Sequence, residues 1–415
     1  MLDPVIADCV PLSLRFPTGE RFWTVMRSDG TLPRIVLQFA LEQRDRGSSS
    51  RLENQMRRIS ALYSWYSSKL GIDFEQMIVA GTRPQLQHVR RALNDYRTQE
   101  IGNPTGESLP QLSAGIINDC ITAWGTFFEF AVLPDNWQSG PHPLETDSER
   151  TTRRDYLREL SFALAQLRVP ESPSKPHEPF TAEELSAVEA AVIQGKSQIF
   201  SPVTRPRNAL MYRLIRSGGI RISELLKLKH EHLPELETRS QKLLRELSQR
   251  PRTIRIVRQP DDPTDPRATE PNVKRGDRTV ELPDRLMSDL LAFAQTTRVA
   301  AHDFILRRQD HDTSPLSLSR AQGIAKQIQS AIRRECRGSD DFFFNWHRLR
   351  ATRAVEAVSE FFPDGIRTQL REQAFCAYFG WASLASAEPY LKSLVFERKA
   401  ASFERQQQRR REMSA

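Results

Sequence analysis

Four prolines fall within the short stretch VPESPSKPHEPF, at Pro170, Pro173, Pro176 and Pro179. A proline ring fixes φ and removes a backbone donor, so this stretch cannot continue a helix and is expected to be an extended connection. It divides a chain of 415 residues, which is longer than one hydrophobic core usually organises. Residues 1–168 and 181–395 are therefore expected to be separate domains, joined by a linker at 169–180 and followed by a basic tail at 396–415. Thr181 and Glu184 open the second domain with the pattern of a capping box, in which the hydroxyl bonds forward to a free amide and the carboxylate reaches back.

Upstream of the linker, apolar residues recur at helical spacing in five segments: Pro33 to Gln43, Arg51 to Leu70, Gln85 to Thr98, Ser113 to Phe130 and Thr152 to Leu167. They predict a helical bundle. In the second segment Ile59, Leu62, Tyr63 and Tyr66 share one side, while Arg51, Arg57, Arg58 and Lys69 lie elsewhere. That basic side is either a surface for DNA or, as is more common, a solvated face. Downstream, helices again dominate, with two β-like runs, TIRIV at 253–257 and RTVEL at 278–282. Between them QPDDPTDPRATEPN is too rich in proline and aspartate for regular structure. The expected fold class is mainly α, with a small β-sheet in the downstream domain.

Lys and Arg together number 60 against 52 Asp and Glu, a net charge of +8. This suits a polyanionic partner without demanding one. Cys9, Cys120, Cys336 and Cys376 are far apart and form no CxxC pair, so neither a zinc site nor a disulfide framework is expected. The start MLDPVIADCVPLSL lacks a basic region followed by a long apolar run, and no stretch approaches the roughly 18 apolar residues of a membrane helix. A cytoplasmic protein without a membrane partner, metal or cofactor is expected.

Three short segments carry side chains suited to phosphate chemistry. GGIRISELLKL, residues 218–228, puts Arg221 at a helix start just after a Gly218-Gly219 break. FFFNWHRLRATRAVEAV, residues 342–358, puts His347 and Arg350 three apart on one helix face. FGWASLASAEPYLKS, residues 379–393, supplies Gly380, Trp381 and, nine residues after Trp381, Tyr390. Arginine offers phosphate a planar fork of donors, and a tyrosine hydroxyl is a covalent catalyst when the phosphate it attacks is activated. Taken singly, each has a bland alternative: a surface arginine, a satisfied histidine or a core tyrosine.

In this order the segments resemble the tyrosine recombinase, or phage integrase, family. Its pattern is an arginine in a G-(I/L)-R-x-S-E-L stretch, a lysine in a β-hairpin, an H-x-x-R helix, a later G-(H/W) and a tyrosine nine residues beyond. Here these are Arg221 in Gly219-Ile220-Arg221-Ile222-Ser223-Glu224-Leu225, Lys274, His347 with Arg350, Gly380-Trp381, and Tyr390. The helical upstream domain is similar to the family's core-binding domain.

The resemblance implies a site-specific DNA recombinase that needs neither ATP nor a metal ion. Tyr390 would form a 3′-phosphotyrosyl bond and release a 5′-hydroxyl. Arg221, Arg350 and Trp381 would hold the nonbridging oxygens, while His347 would bond the phosphate or help take the tyrosine proton. Lys274 would protonate the departing oxygen and Glu224 would orient Arg221. The implied partners are double-stranded DNA, a homotetramer assembled on two duplexes, and accessory recombination proteins. The implied setting is the nucleoid, and the implied process integration or excision of a mobile element. A type IB-like topoisomerase shares the constellation, and a catalytically inactive DNA-binding accessory protein shares the fold.

This chain departs from the pattern in three places. The Pro- and Asp-rich insertion leaves Arg275 as a competitor for the role of Lys274. FFPDGIRTQLREQ lengthens the interval between Arg350 and Trp381 and is expected to form an extra turn. Trp381 stands where histidine is commoner, and its indole N–H can donate to the same oxygen.

Overall fold

The structure is a computed structural model that describes residues 9–388, apart from 47, 99–111, 138–145, 172–177, 196–197, 236–239, 242–244, 246–251, 275, 300, 309–313, 336–340 and 364–365. Tyr390, Arg275, Cys336, the middle of the proline-rich stretch and the basic tail lie outside the described residues. The chain divides into two compact units, Met1–Ser174 and Lys175–Ala415.

The first unit opens with an antiparallel hairpin of β1 (Cys9–Arg15) and β2 (Arg21–Arg27), in which Cys9 lies opposite Arg27. Six helices follow among the described residues: α1 (Arg34–Arg44), α2 (Ser49–Leu70), α3 (Phe74–Val79), α4 (Leu86–Arg97), α5 (Ala114–Ala131) and α6 (Asp147–Gln166). The five periodic segments correspond to α1, α2, α4, α5 and α6. The hairpin and α3 are additions to that helical reading. Strand β2 is buried at every position from Arg21 to Val25, so it shows none of the alternation that marks a half-exposed strand.

Aromatic side chains fill this unit's core. Trp124, Phe127, Phe128, Phe39, Phe74 and Tyr66 are all essentially inaccessible, and burial of each such side chain contributes about 1.5–3 kcal/mol. Phe39 meets Phe127 edge-on at 5.3 Å, and the Trp124 indole donates to the Arg58 carbonyl at 2.7 Å. On the basic side of α2, Arg57 pairs with Glu53 at 2.7 Å and Arg58 with Asp119 at 2.9 Å. That face is thus partly neutralised by the protein's own carboxylates.

The second unit begins with α7 (Ala182–Val192), capped as expected: Glu184 donates its amide to Thr181 Oγ1 at 3.1 Å and accepts from the Thr181 amide at 2.8 Å. Helix α8 (Arg205–Gly218) is central, packing against α7, α9 (Ile222–Leu226), α10 (Asp284–Thr297) and α12 (Trp346–Phe361). Helix α11 (Leu318–Glu335) lies on α7 and α9. The two β-like runs pair antiparallel as β3 (Thr253–Ile256) and β4 (Arg278–Glu281), with Thr253 opposite Glu281. The segment between them has no helix or strand, as its composition implies, but it is not solvated: Asp262, Asp265, Arg267 and Glu270 are all buried.

Helix α13 (Gln369–Phe379) packs on α12 and β4. The stretch FFPDGIRTQLREQ divides between a connection and this helix. Only 362–368 connect the two helices, while Gln369 to Gln373 form the start of α13, capped by the Thr368 hydroxyl on the Arg371 amide at 3.4 Å. Beneath α12 and α13 a small separate core gathers Ala351, Ala354, Ala357, Phe362, Phe375, Phe379 and Ala387. No helix among the described residues is long and apolar enough to cross a membrane.

Candidate active site

Helices α8 and α13 both end in a left-handed glycine, Gly219 at φ 59° and Gly380 at φ 60°. Such a residue turns the chain sharply while leaving the last helical carbonyls exposed. The two ends meet. A Cβ on Gly219 would stand 2.4 Å from Phe379 Cε1, and one on Gly380 would stand 2.8 Å from a nitrogen of the Arg278 guanidinium. Gly219→Ala therefore combines a disfavoured φ with a ring clash, and is expected to cost on the order of 2 kcal/mol. Gly115→Ala, where nothing lies within 4 Å, is the control. Equal denaturation midpoints for the two variants would contradict the close approach.

Three arginines use the carbonyls at the end of α13. Arg278 Nε donates to Tyr378 O at 3.2 Å, Arg350 Nη2 donates to Phe379 O, and Arg221 Nη2 donates to Gly380 O at 3.0 Å. Arg350 also donates through Nη1 to Gly219 O at the end of α8. The C-terminal end of a helix carries a partial negative charge, so these contacts are electrostatically favourable as well as directional.

The same three guanidinium groups converge on one carboxylate. Glu224, 1% exposed in the first turn of α9, accepts from Arg221 Nη1 at 2.7 Å and from Arg278 Nη1 and Nη2 at 2.8 and 2.7 Å. Arg350 Nη1 lies 3.9 Å from its Oε2, and the Arg221 amide donates to Oε2 at 2.8 Å. Burial alone would raise the carboxyl's pKa, but the bonds from Arg278 and the charges of Arg278, Arg350 and Arg221 outweigh it and hold the group at about 2. Among these four side chains positive charge exceeds negative, an arrangement suited to an anion.

Aromatic rings complete the pocket. Trp381 is half-buried, stacked on Phe379 with centroids 4.7 Å apart, and the Arg350 guanidinium lies 5.5 Å from its ring. Arg350 itself is 2% exposed, and the face of the Phe379 ring is 5.4 Å away. His347 is exposed on the first turn of α12, one helical turn before Arg350, behind an Asn345 cap that accepts from the Arg348 amide at 2.6 Å.

The structure thus brings Arg221, Arg350 and Trp381 together and places Glu224 against Arg221. Lys274 is exposed, next to the buried Val273, and Arg275 lies outside the described residues. Arg278 is the member that sequence reasoning missed. It begins β4 on the same face as Val280, which is fully buried, and an inward-facing arginine requires a buried anionic partner. That register was the available signal. No group of three His, Cys, Asp or Glu side chains among the described residues is placed to hold a metal ion. At the other end of α8, a cleft of about 200 Å³ is lined by Thr204, Arg207, Asn208, Arg308, Arg320 and Gln327, among others.

No protein family and no curated protein matches this sequence. Among solved structures, the chain is similar in fold to the XerH site-specific recombinase bound to palindromic difH substrate, a post-cleavage complex. The TM-score is 0.51 at 16% identity, covering 91% of this chain and 86% of that one. The Tn1549 transposon integrase in complex with transposon right end DNA aligns over 90% of this chain and 99% of its own, with 15% identity and a TM-score of 0.49.

Proposed function

Because the chain has the tyrosine-recombinase fold, we propose that it is a site-specific recombinase that cuts and rejoins DNA through a 3′-phosphotyrosine intermediate on Tyr390. The observation that carries this reading is the convergence of Arg221, Arg278 and Arg350 on Glu224 and on the carbonyls that end α13. A phosphodiester under attack gathers charge on its nonbridging oxygens, and donors fixed in advance stabilise that charge without reorganising. Arg221 spends donors on Glu224 and Gly380 and has others to offer, since a guanidinium carries five N–H groups.

In the proposed reaction Arg221 and Arg350 hold the nonbridging oxygens and the Trp381 indole adds a donor. His347 takes up the phenol proton, and Lys274 protonates the leaving 5′ oxygen. Arg278 positions Glu224, and through it Arg221. Tyr390 follows Ala387 by three residues, a length of chain that reaches at most about 11 Å. Ala387 is fully buried in the core under α12 and α13, so the chain that leads to Tyr390 departs from the core that underlies the helix of Arg350. The arginine-lined cleft at the far end of α8 supplies further contacts to the phosphate backbone of double-stranded DNA. Recombination by this route joins four protomers on two duplexes, and the process we assign is integration or excision of a mobile element.

The test is covalent trapping. Sheared DNA of the source genome carrying nicks near potential cleavage points is incubated with the protein, and complexes that survive detergent are sequenced. A small set of related sequences, joined to the protein through a 3′ phosphate with a free 5′-hydroxyl, is expected. A 5′-linked adduct, or none, would sink the proposal. Efficient relaxation of plain supercoiled plasmid without any preferred sequence would instead favour the topoisomerase.

A further inference from the structure

The insertion between β3 and β4 hides six ionisable side chains from water. Asp262 and Asp265 are 0% exposed, Arg267 and Glu270 7%, and Lys227 and Lys229, just after α9, 4%. Charges this deep are tolerated only when paired and hydrogen-bonded, and all of these are. Arg267 donates to both oxygens of Asp265 at 2.8 and 2.6 Å, and to the carbonyls of Leu226 and Leu316 at 3.1 and 2.9 Å. Its guanidinium lies over the Phe304 ring at 4.6 Å. Lys229 Nζ is 2.9 Å from Asp262 Oδ2, whose other oxygen accepts from the amide and hydroxyl of Thr264. Lys227 donates to Glu270 and to Gln259 O, and Glu270 Oε2 accepts from the Asp261 amide at 2.9 Å.

Three positive and three negative groups thus bind the insertion to the turn after α9. Apolar residues of similar volume would hold it about as firmly, so what the ion cluster adds is one defined geometry. The chain leaving the cluster carries that geometry onward. Glu270 is its last member, Val273 is buried at 4%, and Arg278 is fastened to both oxygens of Glu224. The described residues between Glu270 and Arg278 thus run from the ion cluster at one end to the arginine site at the other. Lys274 stands exposed between the two.

We propose that the ion cluster is a positioning device, in which Lys227 and Glu270 set the path of the chain so that Lys274 meets the leaving 5′ oxygen. This rests on the role given to Lys274 above. In the step concerned, the Tyr390 oxygen bonds to phosphorus and the bond from phosphorus to the 5′ oxygen breaks. That oxygen takes a proton from the Lys274 ammonium, which becomes a neutral amine, and the phenol proton passes to His347. Rejoining reverses each transfer.

The test compares an ordinary scissile phosphate with one whose 5′-bridging oxygen is replaced by sulfur, because a thiolate leaves without needing a proton. Lys274→Ala is expected to cleave the ordinary substrate about 10²-fold more slowly, and Glu270→Gln about tenfold more slowly, with both restored to near wild-type rates on the sulfur substrate. Affinity for DNA should be unchanged in both. If Glu270→Gln destabilises the fold, the double variant Lys227→Met, Glu270→Met replaces the pair with apolar side chains and should show the same rescue. Wild-type cleavage of the ordinary substrate by these variants, or equal slowing on both substrates, would overturn the proposal. Failure of sulfur to rescue Lys274→Ala would remove Lys274 from the mechanism and the inference with it. Failure of the wild-type protein on both substrates would remove the recombinase reading itself.

Discussion

Tyr390→Phe is expected to abolish covalent capture of DNA, by about 10⁴-fold or more, the scale of loss that follows removal of a covalent catalyst. Affinity for the duplex should be unchanged. The substitution deletes one oxygen and keeps the ring, so the arginines, Glu224 and Trp381 retain their places. The other tyrosines of the second unit are poor substitutes. Tyr212 is 1% exposed and its burial drives the phenol pKa well up, while the Tyr378 hydroxyl donates to Ser217 O at 3.3 Å. A detergent-resistant band on a nicked duplex measures capture, and fluorescence anisotropy measures binding. Persistence of the band at the wild-type rate would mean that another group attacks.

Glu224→Gln should destabilise the second unit by about 3–5 kcal/mol at neutral pH, because three buried or half-buried guanidinium groups lose their shared anion. The sign of the pH dependence follows from the carboxyl's position. In the folded protein it titrates at about 2, below its ordinary 4.5. Its stabilising contribution, on the order of 3 kcal/mol, is therefore complete above pH 4.5 and is lost as the pH falls from there toward 2. The gap between wild type and Glu224→Gln should accordingly narrow in acid. Denaturant melts near pH 7 and pH 3 make the comparison, and a gap that widens in acid would contradict the assignment of Glu224 as an ionised hub.

Most helices could be read from the sequence because their signals are local. The apolar spacing that predicts α2 and α5 lies within the segments themselves, as does the Thr181 and Glu184 cap. Strand β2 escaped because both its faces are covered, leaving Arg21 and Thr24 as buried as Phe22 and Val25, so no period remains to be seen. The insertion escaped for the opposite reason. Aspartate and proline usually mark solvated chain, and what draws Asp262 and Glu270 inward is a pair of lysines more than thirty residues earlier, while Asp265 is held by Arg267, two residues on. The grouping of Arg221, Arg350 and Trp381 was legible through motif spacing, whereas Arg278 meets Glu224 and the end of α13 only through the fold.

The end of α13 gives that site an unusual dependence on backbone. The carbonyls of Tyr378, Phe379 and Gly380 each take one arginine, and a carbonyl is the same whichever side chain its residue bears. Drift in sequence at position 378 therefore leaves these acceptors in place, provided the helix still stops where it does, whereas at 379 it would also change the ring that faces Arg350 and Trp381. Lengthening α13 by even one residue would do the reverse. It would rotate the terminal carbonyls by about 100°, and three intact arginines would then lose their shared set of acceptors at one stroke.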